Sequence, residues 1–154
     1  LAAEFIALWA SVYADVMVDM NKTVNKTERG SIAENLALAH LQAKGLRLVA
    51  RNYKTPGRGG GEVDLIMQEP AKQSAQEATL VFVEVRQRAS SAHGGAAASV
   101  GASKQRRVIF AARYYLLRLP KTPPCRFDVV SVEGELANNP TVTWLVGAFN
   151  APSF

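Results

Sequence analysis

The sequence predicts an α/β protein, a mixed β-sheet flanked by helices, and three observations lead there. Two segments carry apolar residues at three- and four-residue spacing, five shorter runs are rich in β-branched and aromatic residues, and their order along the chain is α-β-β-β-α-β-β. The 154 residues, 48% hydrophobic and 20% charged, suit a globular domain with enough apolar content to bury a core.

Thr27 is placed to cap a helix starting near Glu28, in which Ile32, Ala33, Leu36, Ala37, His40 and Leu41 share a face until Gly45 stops it. Leu46 to Tyr53 alternates weakly as a strand, PGRGGG breaks the chain, and EVDLIM reads as the second strand. After the polar stretch QEPAKQSAQEA, LVFVEVR has the content of a central strand, and RASSAHGGAAAS follows as a small-residue loop. Val100, Lys104, Val108, Ala111, Ala112, Tyr115 and Leu119 mark a long second helix ended by PKTPP. RFDVVSV and TVTWLVGAF are the last two strands, with ANNP turning between them.

The opening segment LAAEFIALWASVYADVMVDM is the most apolar part of the chain, yet it reads as neither a signal peptide nor a membrane span. Glu4, Asp15 and Asp19 interrupt it and no Lys or Arg precedes it. Residues 1–27 are set apart as an N-terminal extension, one that upstream translation would explain given Met17 and Met20 just ahead of the polar NKTVNKTERG, and residues 28–150 are taken as the domain. The formal charge is +5 with a sequence pI near 9.6, and because residues 1–19 hold three acids and no Lys or Arg, the remainder carries +8. Such an excess suits a nucleic-acid partner, since Lys and Arg displace counterions from phosphates. A single cysteine, Cys125, excludes an internal disulfide and a cysteine metal cage, and fits a reducing, cytoplasmic setting with no membrane partner.

Side chains at i and i+2 of a strand share a face, so Glu62, Asp64 and Ile66 are expected on one side of the second strand, opposite Val63, Leu65 and Met67. On the third, Leu80, Phe82, Glu84 and Arg86 form one row. Two readings follow from the residues alone. Glu84 and Arg86 form an ion pair at a strand end with Glu62 and Asp64 solvated beyond a turn, or the acids of two paired strands converge around a cation. Mg²⁺ or Mn²⁺ would meet the second case, because one or two carboxylates with waters and substrate phosphate complete its oxygen shell.

These pieces resemble the PD-(D/E)xK nuclease superfamily, and more closely the YraN family of bacterial proteins, regarded as endonuclease-like and distantly similar to archaeal Holliday-junction resolvases. The resemblance spans residues 28–150 through Gly30 to Glu34 with AHLQAKGLRLVARNY, GGEVDLIM, VFVEVRQR, HGGAAASV, Lys104-Gln105, RFDVVSV and WLVGAFN. It implies a restriction-endonuclease-like fold and a metal-dependent endonuclease hydrolysing DNA, of branched or damaged form. It also implies Asp64 and Glu84 as Mg²⁺ or Mn²⁺ ligands, with the carbonyl of Val85 as a third. Glu34 would approach from the first helix as a further catalytic acid, Glu62 would support, and Arg86 would stand where the motif lysine stands. An arginine there cannot be a general base, which leaves it phosphate or transition-state stabilisation. Lys104, Arg88, Arg106, Arg107 and Arg58 are the expected nucleic-acid contacts, Lys104 foremost. A resolvase acts on two strands, which implies a homodimer. The alternative is a non-catalytic nucleic-acid-binding module, or an interaction partner within a DNA-processing complex, that keeps the nuclease fold.

Overall fold

The computed structural model describes residues 25–88 and 100–152. The apolar opening segment and residues 89–99 of the small-residue loop lie outside the described residues. The elements are α1 (Lys26–Ala43), β1 (Arg47–Lys54), β2 (Glu62–Glu69), β3 (Thr79–Arg88), α2 (Ala102–Leu116), β4 (Cys125–Glu133) and β5 (Thr141–Phe149). The expected order is borne out, including the last strand.

The start of α1 differs by two residues from the expectation. Asn25, not Thr27, is the cap: its Oδ1 accepts from the amides of Thr27 and Glu28, each at 3.0 Å, while Glu28 returns a bond to the Asn25 amide. This reciprocal arrangement satisfies donors that a first helical turn leaves open, so Asn25 wins over Thr27.

The five strands form one sheet in the order β1-β2-β3-β4-β5. β3 and β4 are parallel, with α2 carried between them in sequence, and the other neighbours are antiparallel. A helix packs against each face. Ala33, Ala37 and Leu41 of α1 meet Leu65, Met67, Val81, Val83, Val130 and Val132, and Val108, Ala111, Ala112 and Leu116 of α2 meet Val63, Ile66, Leu80, Phe82 and Phe127. On the α2 side Phe82, Phe127 and Phe149 stack at centroid separations of 5.7 and 5.1 Å, and Tyr115 stands edge-on to Tyr53 and Phe82.

The strict alternation expected of β2 fails at its start. Val63 packs in the α2-side core with Ile66, whereas Leu65 and Met67 line the α1-side core. The reason is a fork in the sheet. Pairing of β2 with β3 ends at Leu65 and Val83. Beyond that point the first residues of β2 pair only with β1, and Glu84 to Arg88 pair only with β4. The ladder between two otherwise central strands is therefore open at this end.

A second buried carboxylate, Asp128 of β4, belongs to the scaffold. It is fully buried and accepts from Arg126 Nε at 3.0 Å, Trp144 Nε1 at 2.9 Å and the Gly147 amide at 2.9 Å, while Arg126 also pairs with Glu69. The network ties β2, β4 and β5 together across a register shift between Phe127 and Val129. Asp128→Asn is expected to lower unfolding stability by about 3 kcal/mol, because three donors lose a charged acceptor inside the fold. Chemical denaturation of the full chain is the measurement.

Candidate active site

The fork places the acids. Asp64, the first residue of β2 past the last paired position, turns its Oδ2 to the amide of Val85 across the gap at 2.8 Å, where ladder pairing between the strands has ended. Glu84, the first residue of β3 past the last paired position, is 2% exposed. It sits beside Asp64, and burial together with that neighbouring negative charge pushes its pKa up to about 8, against the pull of Lys104. Two unit charges about 4 Å apart repel by roughly 4 kcal/mol at an effective dielectric near 20, so such a pair holds a proton or a cation between its members.

Part of the cationic answer comes from α2. Lys104 Nζ lies 3.0 Å from Glu62 Oε1 and 3.4 Å from Glu84 Oε2, and Arg107 stands 3.5 Å from Glu62. The hydrogen bond from Lys104 holds the Glu62 carboxyl below its usual range although burial opposes it. Burial likewise works to lower the pKa of Lys104, but the carboxylates of Glu84, Glu62 and Asp64 outweigh it and the ammonium is held charged. The approach to Glu84 is an ion-pair distance without hydrogen-bond geometry, and Glu84 Oε2 remains a buried oxygen with no hydrogen-bond partner.

The position of α2 depends on a glycine. A side chain at Gly61 would put its Cβ 2.1 Å from the Arg107 carbonyl oxygen and 2.7 Å from the Ala111 amide nitrogen, so the helix backbone lies directly on the start of β2. Thr55 locks the loop from the other end: Gly61 N–H donates to Thr55 Oγ1 at 2.8 Å, and Thr55 N–H donates to the Gly61 carbonyl at 3.0 Å. Gly61→Ala is therefore expected to cost about 2 kcal/mol or more by forcing helix and strand apart. A drop in melting temperature of the full chain is the readout.

Of the residues expected at the site, the structure gathers Glu62, Asp64, Glu84, Lys104 and Arg107. Arg86 is at the rim, its guanidinium 3.8 Å from Glu84 Oε1. Glu34 is engaged with β1 instead: its Oε2 accepts from Asn52 Nδ2 at 3.1 Å and lies 3.7 Å from Arg51. Asn52 falls in the register position beside Asp64 and has φ +49°, a left-handed conformation that asparagine tolerates better than most residues. Arg58 is exposed in the loop between β1 and β2. Lys54, Gly57, Gly59, Glu62 and Arg107 line an open cavity of about 360 Å³ beside that loop. Arg88 lies at the end of β3 opposite Glu133, and Arg106 opens onto a separate groove with Ile109, Phe110 and Asn150. The basic residues expected to act together on nucleic acid are thus divided between two sides of α2. Thr55 was not singled out by sequence, and Asn52 and Gly61 entered only within longer pieces, AHLQAKGLRLVARNY and GGEVDLIM, with no role of their own. Asn and Gly are common turn residues, and nothing in the local pattern distinguishes a position that meets a distant helix.

Among the described residues no group of three or more His, Cys, Asp or Glu side chains has metal-holding geometry. The donor set is a two-carboxylate one, Asp64 and Glu84. These hard oxygen donors suit Mg²⁺ or Mn²⁺, and Glu84 Oε2, which accepts no hydrogen bond, is a buried acceptor that such an ion would satisfy. The residues fit the group, with the Val85 carbonyl at hand in the same strand.

The fold and site define the class: an α/β protein whose forked mixed sheet seats two carboxylates and a lysine, an arrangement consistent with the nuclease-like superfamily. The chain belongs to the uncharacterised protein family UPF0102, the YraN family, whose model matches residues 33–132. It is 62% identical over 122 residues to a UPF0102 protein of Paracidovorax citrulli, covering 79% of this chain and 82% of the relative. It is 60% identical over 125 residues to one of Verminephrobacter eiseniae (81% and 80%), and 58% over 124 residues to one of Albidiferax ferrireducens (80% and 88%). No helix among the described residues is long and apolar enough to cross a membrane.

Proposed function

We propose that this protein is a divalent-metal-dependent endonuclease that hydrolyses phosphodiester bonds of DNA, in branched or damaged form. The observation that carries the reading is the pairing of Asp64 and the buried Glu84 across a gap between adjacent strands, with a cationic side chain beside them. A structural ion pair has no need to bury a second carboxylate beside the first, since that placement costs stability unless a cation offsets it.

Asp64 and Glu84, with the Val85 carbonyl, would hold a Mg²⁺ or Mn²⁺ ion, which when bound would supply a Lewis acid for the phosphoryl oxygen and a lowered pKa for water. Asp64 is oriented by the Val85 amide. Lys104 and Arg86 face the charge that builds on the phosphoryl oxygens, and Arg107, Lys54 and Arg58 attract the flanking backbone. Water oxygen forms a bond to phosphorus as the P–O ester bond breaks, and the proton that the attacking water sheds goes to solvent. One product ends in a phosphate monoester and the other in a hydroxyl, whose proton comes from solvent. Action on a four-way junction would take two sites and so a homodimer.

The test is incubation of the purified full chain with single-stranded, duplex, flap and four-way DNA in Mg²⁺ or Mn²⁺, beside Asp64 and Glu84 variants. Metal-dependent cleavage is the expected result. Arg86 in the motif lysine's place favours the second reading, a binding module. Salt-sensitive DNA binding with no product on any substrate would replace the first reading with that one.

A further inference from the structure

The site's nearest ammonium belongs to α2 and not to the strand that carries the ExK-like motif. Lys104 Nζ is 3.0 Å from Glu62 Oε1 and 3.4 Å from Glu84 Oε2, whereas Arg86 reaches Glu84 only at 3.8 Å with 36% of its side chain exposed. Lys104 is the more enclosed of the two, at 24%. Its place is fixed from outside the site. The backbone contact at Gly61 seats α2 on β2, and Gln105 Nε2 donates to the Val100 carbonyl at 2.8 Å just ahead of a helix whose Gly101 cap has no side chain to offer.

We propose that Lys104 is the catalytic cation of this site. In the metal-free protein its ammonium occupies the cation position between Glu62 and Glu84, and with a phosphodiester bound it turns to a non-bridging oxygen of the scissile phosphate. The inference rests on the nuclease reading for its second half only. The geometry behind it is chemical as well as spatial. A lysine is a compact point charge on a flexible stem, able to leave one carboxylate and meet a phosphate oxygen without losing its hold on another. Glu62 supplies that hold: it is the carboxylate closest to Lys104, and it lies outside the Asp64 and Glu84 pair, so the ammonium can pivot on it while Glu84 Oε2 is given up to an incoming ion. The ion and Lys104 therefore compete for Glu84 in the absence of substrate and act together once a phosphate lies between them.

Two measurements on the full chain test this. In calorimetric titration with Mn²⁺ alone, Lys104→Met is expected to bind at least tenfold more tightly than the wild type, because the resident competitor is gone. In cleavage of the best DNA substrate, Lys104→Met is expected to lose about 100-fold or more in turnover while DNA affinity in Ca²⁺ changes less than threefold; Lys104→Arg restores part of the rate. A lysine that only contacted backbone phosphate would show the loss in affinity instead. Should Lys104→Met fail to fold by circular dichroism, Lys104→Gln serves in both arms. Unchanged or weaker Mn²⁺ binding in the variant, or no Mn²⁺ uptake by either chain, overturns the proposal whether or not cleavage is seen. Absence of cleavage by the wild type alongside tighter Mn²⁺ binding in the variant removes the nuclease reading but leaves Lys104 in the cation position.

Discussion

Asp64→Asn and Glu84→Gln are each expected to reduce metal-dependent DNA cleavage by about 10³-fold or more, with the fold retained. The choice of amides isolates charge from shape. In Asp64→Asn the new side chain keeps an oxygen to accept from the Val85 amide, the bond that now spans the fork at 2.8 Å, so the gap between β2 and β3 keeps its geometry while the carboxylate is lost. In Glu84→Gln the replacement is nearly isosteric, at a position that is 2% exposed. Because the two acids would hold one ion, their contributions are not independent, and the double variant is expected to be little worse than the poorer single one. Initial rates on the preferred substrate, in Mg²⁺ and Mn²⁺, decide the matter. Retention of more than a tenth of the wild-type rate in either variant would remove the shared-ion site. In chelator, where no ion offsets it, Asp64→Asn should bind DNA at least as well as the wild type, since it removes a negative charge from a surface that must face phosphate.

How much of this was legible in the sequence differs by kind of interaction. Period and composition located both helices and all five strands, because an amphipathic segment announces its buried face locally. The acids on β2 and β3 were legible too, since each interrupts an otherwise apolar strand. What pattern could not supply was the fork. It arises where the β2–β3 pairing stops at Leu65 and Val83, a property of two chains meeting, and it moved Val63 to the face opposite the one alternation assigns it. Asp128 shows the converse. It too is an acid in an apolar strand, yet Arg126, Trp144 and the Gly147 amide saturate it and make it scaffold. One acid is fully partnered and the other, Glu84, retains an oxygen without a hydrogen bond; the difference lies in residues far apart in sequence. Gly61 and Lys104 are linked in the same way, by a helix resting on a strand that comes far earlier in the chain.

In metal-free buffer the wild-type protein is expected to lose stability as pH rises from about 4.5 to about 8, and Glu84→Gln to abolish that loss. The folded protein holds Glu84 with a pKa of about 8, raised first by burial and then by the charge of Asp64, against 4.5 for the free side chain. Between those values the folded state binds a proton that the unfolded chain has released. The stabilisation is fully present below the unfolded pKa and is gone once pH passes the folded one. At 1.36 kcal/mol for each unit, the full change is on the order of 5 kcal/mol, a large part of the 5–15 kcal/mol that holds a typical domain together. Glu62 has the opposite sign, its pKa lowered by Lys104, but its contribution is lost only as pH falls below about 4.5, outside this window. Lys104, held charged by its carboxylates, loses its contribution only above the ordinary lysine value of 10.5. Urea denaturation of the full chain in chelator, across roughly pH 4 to 9, reads the slope directly: wild type and Glu84→Gln should coincide at the acid end, diverge as pH rises past about 4.5 with the variant more stable, and run parallel again above about 8. Divalent ion acts on the same proton. An ion held by Asp64 and Glu84 needs both ionised, so Mg²⁺ affinity should climb through this window and added Mg²⁺ should restore stability to the wild type but not to Glu84→Gln. Parallel profiles for the two proteins would mean that Glu84 is ionised in the folded chain at neutral pH, and that its burial beside Asp64 carries no latent demand for a cation.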